Sequence, residues 1–391
     1  MIYSKILEAE WGKFFFNEFQ NIRECKFESD AIYLFDRHDT SLRNTMFRQC
    51  LPEEHWEHFR NSPNTKLLIF FPDEYFNILD LREIYSTIIE KKLKTNQLYF
   101  LVMDNNFKEF AENFFKVRGI TDIHVHALNL LLSGTVNPVT HPTKSFKFSA
   151  LSRNYNRWRL HVYAALQEKD LLKDFIYSFH NINPYGKVTF EIPRLISDLK
   201  EHWKPELSQG VLDWINNIPY NVGHAHNKHH NITYHTIKSA DFHLLIESHF
   251  DPYWNFAGRR GEVSIDEFSP AFPTEKTYKA MICETPFIAF STPYFLKGLR
   301  QLGFKTFSPY IDETYDIIEN DKARVEAIVC EVERICNLPE TEYKMILEKC
   351  KEIAEFNKQL FLDIKKNTRL NEEFLFLDSC FNQNTARGKL F

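Results

Sequence analysis

The segment Pro273–Phe290 reads PTEKTYKAMICETPFIAF and holds the residues whose types and spacing could do the most chemistry. Thr274 can cap a helix whose first turn carries Glu275. The first N–H groups of a helix lack internal partners, so such an end attracts anions. Lys276 adds a full positive charge beside them, and Glu275 is an acceptor suited to paired sugar hydroxyls. One helix start thus offers a diphosphate site and a ribose site side by side, the combination that a nucleotide-sugar donor needs. Thr-Glu-Lys-Thr is also ordinary helix-start chemistry, since acidic residues favour the positive end of the dipole. The surrounding elements must decide between the two readings.

Those elements alternate. In the first 140 residues, Ala31–Phe35, Lys66–Phe71, Gln97–Met103 and Asp122–Ala127 read as strands, with amphipathic helical stretches such as Leu81–Lys92 and Phe107–Val117 between them. Strands alternating with helices imply a parallel sheet covered on both faces. Three of the strands run into acidic or amide residues, and ligands of open α/β sheets bind outside the carboxyl ends of strands; Asp and Asn also cap the helices that follow. Residues 133–145, rich in Pro, Thr and Ser, read as a domain boundary. A second series opens with Phe146–Leu151 and a helix from Arg157. It continues through strands at Ile176–Phe179, Phe242–Glu247 and Phe287–Phe290, a helix at Tyr294–Leu302 and a short strand at Lys305–Phe307. Helices from about Lys322 to Cys336 and Glu340 to Lys365 close it, and Pro184–Asn231 is less regular.

Bulk properties narrow the class. The apolar and charged fractions, 43% and 26%, are those of a globular protein, and the formal net charge of -5 argues against a general polyanion-binding surface. No run of eighteen apolar residues suggests a membrane span, and the start MIYSKILEAEWGKFFF lacks the pattern of a signal peptide. Seven scattered cysteines without a CxxC read as reduced thiols, which points to a cytoplasmic setting. With 37 Phe and 11 Gly, and many Lys, Asn and Ile, the composition matches AT-rich codons, as in phage or AT-rich bacterial genomes. Neither GxGxxG nor GxxxxGK[ST] occurs, so the glycine-rich phosphate loops are absent.

Three motifs in order carry a resemblance. They are LSRNYNRWRLH at a strand-to-helix junction, a strand ending in Glu247, and TEKTYKAM with TPFIAF followed by LKGLRQLGFKTFSPYIDETYD. Over roughly Phe146–Leu338 the chain resembles a group of phage and bacterial glycosyltransferases of the GT-B type. Its C-terminal half is similar to fucosyltransferase-like enzymes, which carry a Glu-Lys dipeptide in the donor site. The resemblance implies an α/β fold of two Rossmann-like domains facing a cleft. Residues 1–140 would be the acceptor-side domain, 146–338 the nucleotide-sugar domain, and 339–391 helices packing back on both. It implies that Glu275 meets ribose hydroxyls, Lys276 the diphosphate with Thr274 and Thr277 beside it, and Glu247 the donor sugar or base. Arg153, Arg157 and Arg159 form a basic set suited to phosphate. Arg157 and Arg159 are two apart and point different ways on a helix, so at most two of the three reach the donor.

Transfer needs stabilised charge on the leaving diphosphate and a base for the acceptor hydroxyl. Lys276, the helix start and one arginine supply the first without a tightly bound metal or other cofactor. The base is expected from the N-terminal domain, among Asp36, His38, Asp39, Asp73 and Asp104, with the loop Asp36–Ser41 (DRHDTS) first. The acceptor is expected to be a modified base, or a sugar on it, in phage DNA, or else a glycan; Arg259-Arg260, Lys91-Lys92-Lys94 and the histidine loop could line a DNA groove. His224, His226, His229 and His230 read as a polar loop and, less readily, as a metal site. Glu267 and Glu275 match the spacing of the two-glutamate motif of retaining enzymes, but FSPAFPT between them lacks the expected glycine, and retention or inversion stays open. Asp312-Glu313-x-Tyr315-Asp316 reads as a structural edge built of caps and hydrogen bonds. The rival readings are a binding protein that keeps the fold without turnover, and an epimerase or hydrolase.

Overall fold

The computed structural model describes residues 2–3, 32–36, 53–70, 78–102, 105–127, 146–182, 191–220, 229–247, 250 and 273–367. His38, Asp39, Asp73, Asp104, His224, His226, Arg259, Arg260 and Glu267 lie outside them. The described residues fall into two units: 2–127 and 366–367 belong to one, and 146–250 with 273–365 to the other.

In the first unit, β1 (Ile2–Tyr3), β2 (Ile32–Asp36), β3 (Lys66–Phe70), β4 (Leu98–Val102) and β5 (His124–Ala127) form an all-parallel sheet in the order β1-β2-β3-β4-β5. Parallel pairing needs a crossover between neighbours, and α1 (Glu53–Asn61), α2 (Ile78–Lys91) and α3 (Asn105–Lys116) provide three of them. Leu67, Leu68 and Ile69 are all buried, so both faces of β3 are covered. The aromatic content goes largely into this packing: Phe100 lies against Phe115, and Trp56 and Phe59 of α1 are fully buried. Lys91, at the end of α2, pairs with Glu53 at 2.6 Å. Asp36 closes β2, where an acidic strand end was expected.

The second unit has β6 (Phe146–Asn154), β7 (Phe175–Ile182), β8 (Ala240–Ile246) and β9 (Phe287–Phe290), again all parallel, in the order β7-β6-β8-β9. The chain starts in the middle, moves one way to β7 and then the other way to β8 and β9. That reversal between β6 and β8 is a topological switch point, where two crossovers leave a crevice at the carboxyl ends of the strands. The helices are α4 (Arg157–Glu168), α5 (Ile192–His202), α6 (Gln209–Asn216), α7 (His229–Lys238), α8 (Glu275–Ile282), α9 (Phe295–Gln301), α10 (Asp321–Cys336) and α11 (Glu340–Asn367). Phe148 stacks on Phe175 and on Phe242, tying β7, β6 and β8 together on one face. Tyr343 of α11 meets the edge of Phe242 and donates to Asp241 at 3.1 Å, and Phe361 packs on Tyr278 of α8. As far as Lys365, α11 therefore belongs to this unit.

Two local readings of the sequence are corrected. Lys305–Phe307 is not a strand. The buried side chain of Asn357 accepts from Lys305 N–H at 2.8 Å and donates to Lys305 C=O at 2.7 Å, so one amide does what a neighbouring strand would do. His229 and His230 do not lie in a loop but open α7. Among the described residues no group of three or more His, Cys, Asp or Glu could hold a metal ion, and no helix is long and apolar enough to cross a membrane.

Candidate functional site

The carboxyl end of β8 delivers Glu247 to the switch point, and α8 starts over it. Thr274 caps α8 as the sequence predicts, its Oγ1 accepting from Lys276 N–H at 3.3 Å. Beneath the cap lies Glu247, 3% exposed. Its Oε1 accepts from Thr274 N–H at 3.1 Å and from Thr277 Oγ1, and its Oε2 accepts from Thr274 Oγ1 at 2.5 Å. A buried carboxylate persists only when donors surround it, and the two threonines of TEKT supply them. The expectation that Glu247 faces a donor molecule thus meets a different geometry, with the carboxylate turned onto the helix start. Thr274 and Thr277 are buried for the same reason.

Lys276 is partly exposed. Its Nζ lies 3.3 Å from Thr274 Oγ1 and 3.9 Å from Glu247 Oε2. Glu275 is the first residue of α8, as placed from the sequence. Of the three arginines, Arg159 is brought to this point: it is buried, and Nη2 donates to Glu247 C=O at 3.0 Å. Arg157 is drawn elsewhere, its Nε donating to Asp198 of α5 at 3.0 Å beside Tyr155, whose hydroxyl donates to the same carboxylate at 2.9 Å. The two arginines diverge as their spacing on α4 demands. Burial, with the Asp198 charge behind it, pushes the Tyr155 phenol up. Arg153 lies within β6, at the point where pairing with β7 shifts register between Ser152 and Asn154. Such irregularities commonly border binding sites.

Sequence reasoning missed several neighbours. Ser152, near the carboxyl end of β6, has a buried Oγ without a hydrogen-bond partner among the described residues, and so has Nε2 of His161 on α4. Trp158 touches both His161 and Phe250, and Phe250 stacks on Phe290 at 3.9 Å. The LSRNYNRWRLH motif contains Ser152, Trp158 and His161, but only the fold shows that they turn inward.

The DETYD motif packs against β9, where Tyr315 Oη accepts from Ala289 N–H at 3.1 Å. Glu313 accepts from Phe307 N–H at 2.6 Å, Ser308 N–H at 3.1 Å, Thr306 Oγ1 at 2.8 Å and Arg300 Nη1 at 3.1 Å. Asp316 caps α9 from outside by accepting from Leu296 and Lys297 N–H at 2.8 and 3.1 Å. Its carbonyl also takes the N–H of Tyr294 at 2.6 Å, which holds Tyr294 at a left-handed φ of 63°. Burial pushes both carboxyls up, against the pull of these donors. The motif's acids are engaged in holding loops and a helix start, the structural role expected of them.

Two buried histidines link this region to pH. His243 of β8 shares a 2.8 Å hydrogen bond with Ser149 of β6, and burial pushes its pKa down to about 4. Burial does the same to His161, outweighing the opposite pull of Asp198, with a pKa again of about 4. In the unfolded chain each takes up a proton near pH 6.5. Between 6.5 and 4 the unfolded state therefore binds more protons. Stability is complete above pH 6.5 and is lost as pH falls toward 4, by up to about 1.4 kcal/mol per pH unit for each histidine. Urea midpoints at pH 7.5, 6 and 5 should fall in that order. His161→Phe, which removes one titrating group from an apolar slot, should roughly halve the slope; a slope equal to that of the native chain would show that folding does not hold His161 neutral in this range.

No protein-family model matches the chain, and no curated protein matches it. Among solved structures it is similar to a mutant of S. aureus TarM in complex with fondaparinux, alpha-GlcNAc-glycerol and UDP, at 10% identity and a TM-score of 0.38 over 90% of this chain. The chain spans 57% of the length of that structure. It is similar to OtsA in an apo structure, at 11% identity and a TM-score of 0.42 over 86% of this chain and 73% of that one. It is also similar to α,α-trehalose 6-phosphate synthase from Burkholderia multivorans, at 8% identity and a TM-score of 0.43 over 93% of this chain and 74% of that one.

Proposed function

We propose that the chain is a glycosyltransferase that takes a sugar from a nucleotide-sugar donor to an acceptor hydroxyl. The observation that carries this reading is the capped start of α8, bearing Lys276, beside the carboxyl end of β8 at the reversal of strand order. Helix starts and strand reversals are both places where α/β proteins bind nucleotides, and here they coincide. In this reading Lys276 and the N–H groups of the helix start face the diphosphate, Arg153 or Arg159 adds a second cation, and Glu275 takes the ribose hydroxyls. As the sugar–oxygen bond breaks, negative charge grows on the leaving diphosphate, and fixed cations stabilise it without reorganising. Asp36, His38 or Asp39 from the first unit would accept the proton of the acceptor hydroxyl. The acceptor is a glycan, or a modified base or base-linked sugar in phage DNA.

A panel of nucleoside diphosphates, their sugar conjugates and inorganic pyrophosphate tests the donor site by thermal shift, since a ligand that binds only the folded state raises its midpoint. One nucleotide family should raise it. Glu275→Ala should weaken that nucleotide about tenfold while leaving pyrophosphate unchanged, the signature of a lost ribose contact worth one charged hydrogen bond. Release of the nucleoside diphosphate from the matching sugar conjugate should then depend on an added acceptor. Glycans and duplexes carrying hydroxymethylpyrimidine decide between the two acceptor classes. No midpoint shift with any nucleotide would sink the donor site, and binding without turnover on any acceptor would favour a binding protein.

A further inference from the structure

The threonine hydroxyl that caps α8 has one hydrogen bond to donate, and it donates it to Glu247. Thr274 Oγ1 donates to Glu247 Oε2 at 2.5 Å. Its lone pairs are left for Lys276, whose N–H and Nζ each lie 3.3 Å away. Glu247 adds its own attraction, Oε2 standing 3.9 Å from the same Nζ. Glu247 is itself fixed on three sides. Its N–H donates to Phe290 C=O of β9 at 3.0 Å, its C=O accepts from Arg159 of α4 at 3.0 Å, and Thr277 Oγ1 donates to its carboxylate. One residue therefore joins β8, β9, α4 and α8 where the strand order reverses.

We infer that Glu247 is a positioning residue for Lys276, acting through Thr274, rather than a group that touches the donor. By accepting the Thr274 hydrogen bond, it turns the hydroxyl so that only lone pairs face the lysine. By keeping a buried negative charge below, it draws the ammonium over the helix start. A long, flexible lysine held there loses less side-chain freedom when an anion arrives, which is how a preorganised site gains affinity. The anion in question rests on the donor-site reading above; the relay from Glu247 to Lys276 does not.

Glu247→Gln removes the charge and sets an amide against Thr274. Thr274→Val removes the hydroxyl, Thr274→Ser keeps it, and Thr277→Val takes away one anchor of Glu247 while leaving the relay whole. Two readouts separate relay from mere scaffolding. The first is acetylation of Lys276 by an amine-reactive reagent, followed by peptide mass spectrometry with Lys279 as internal reference. A lysine held between a hydroxyl and a carboxylate swings out to meet the reagent less often, so labelling should quicken about threefold or more in Glu247→Gln and Thr274→Val. It should stay at the native rate in Thr274→Ser and Thr277→Val. The second is affinity for UDP, GDP, ADP and pyrophosphate by titration calorimetry. Whichever of these binds the native chain should bind about tenfold more weakly to Glu247→Gln. The double variant with Lys276→Ala should bind no more weakly than Lys276→Ala alone, because both changes remove one interaction. Equal labelling in the native chain, Glu247→Gln and Thr274→Val, or losses that simply add, would overturn the inference. If none of the four probes binds the native chain, the labelling arm still decides the relay, while the donor reading alone falls. If Glu247→Gln does not fold, the Thr274 pair gives the same contrast.

Discussion

Replacing Lys276 with alanine is expected to weaken nucleoside-diphosphate binding about a hundredfold, with little change in the stability of the ligand-free protein. The two halves of this expectation come from different physics. A diphosphate carries concentrated negative charge, and a hydrogen bond between two charged groups contributes about 1.5–3 kcal/mol, or roughly ten- to a hundredfold in affinity. The neighbouring N–H groups of the helix start cannot replace a full charge. In the ligand-free protein, by contrast, Glu247 keeps both threonines when Lys276 is lost. The Lys276–Glu247 separation of 3.9 Å, with the lysine side chain 27% exposed, makes a weak ion pair, so its loss costs about 1 kcal/mol or less. Lys276→Arg should recover part of the affinity, since it restores the charge but presents a planar fork in place of a compact ammonium. Salt provides an internal check. Affinity of the native chain should fall as ionic strength rises, and the alanine variant should show a shallower dependence. Titration calorimetry at two salt concentrations measures both, and an unaltered dissociation constant in Lys276→Ala would remove this lysine from the site.

The parts of this architecture that could be read from the sequence are those governed by neighbours along the chain. Phe242–Glu247 is an apolar run broken by His243 alone and closed by an acid, which marks a strand buried on both faces, and it forms β8. Thr274 preceding Glu275-Lys276 is a cap signal written in four residues, and α8 starts as it predicts. The divergence of Arg157 and Arg159 followed from helix geometry alone. Signals failed where local pattern and tertiary partner disagree. The stretch holding α5, α6 and α7 reads as irregular because its helices are short and interrupted: Pro193 enters at the start of α5, Gly210 sits in the first turn of α6, and His229 and His230 open α7 with polar residues. Tertiary burial of Leu195, Leu199, Val211 and Ile215 overrides those weak propensities. Lys305–Phe307 has the composition of a strand, but its partner is one side chain fifty-two residues away. The direction of Glu247 was equally hidden. A strand-end acid faces either a ligand or its own scaffold, and only the placement of Thr274 and Thr277 twenty-seven and thirty residues later selects the scaffold.

Arg324 is the strongest case of such concealment, and it yields the largest expected effect on stability. In sequence it is a charged residue in a helix of mixed polarity, the pattern of a solvated face. In the structure it is 1% exposed. Its Nη2 donates to Phe250 C=O at 2.6 Å and to Asp321 at 2.7 Å, its Nη1 to Ile318 and Glu319 C=O at 2.7 and 3.2 Å, and its Nε to Ser291 C=O at 3.2 Å. The guanidinium also lies 4.0 Å from the centre of the Phe250 ring. Phe250 follows β8 by four residues and Ser291 follows β9 directly, so one cation gathers the chain ends that leave the sheet beside the candidate site. Arg324→Met keeps the length of the side chain and its apolar stem but strands four carbonyls and the buried carboxylate of Asp321. Breaking a buried pair from one side costs about 3–5 kcal/mol, which for a unit of this size lowers the thermal midpoint by roughly 10 °C. Arg324→Lys retains the charge but has three donors for five acceptors, so its loss should be smaller and still measurable. Calorimetry of the three proteins tests the order native, lysine, methionine. A methionine variant as stable as the native chain would mean that these carbonyls find water when the guanidinium goes, and that the loop ends are not held by it. The same cation explains why the site can tolerate a buried Glu247. Phe250 is pinned by Arg324 and stacked on Phe290 three residues beyond the acid, and the Glu247 carboxylate accepts from the start of α8.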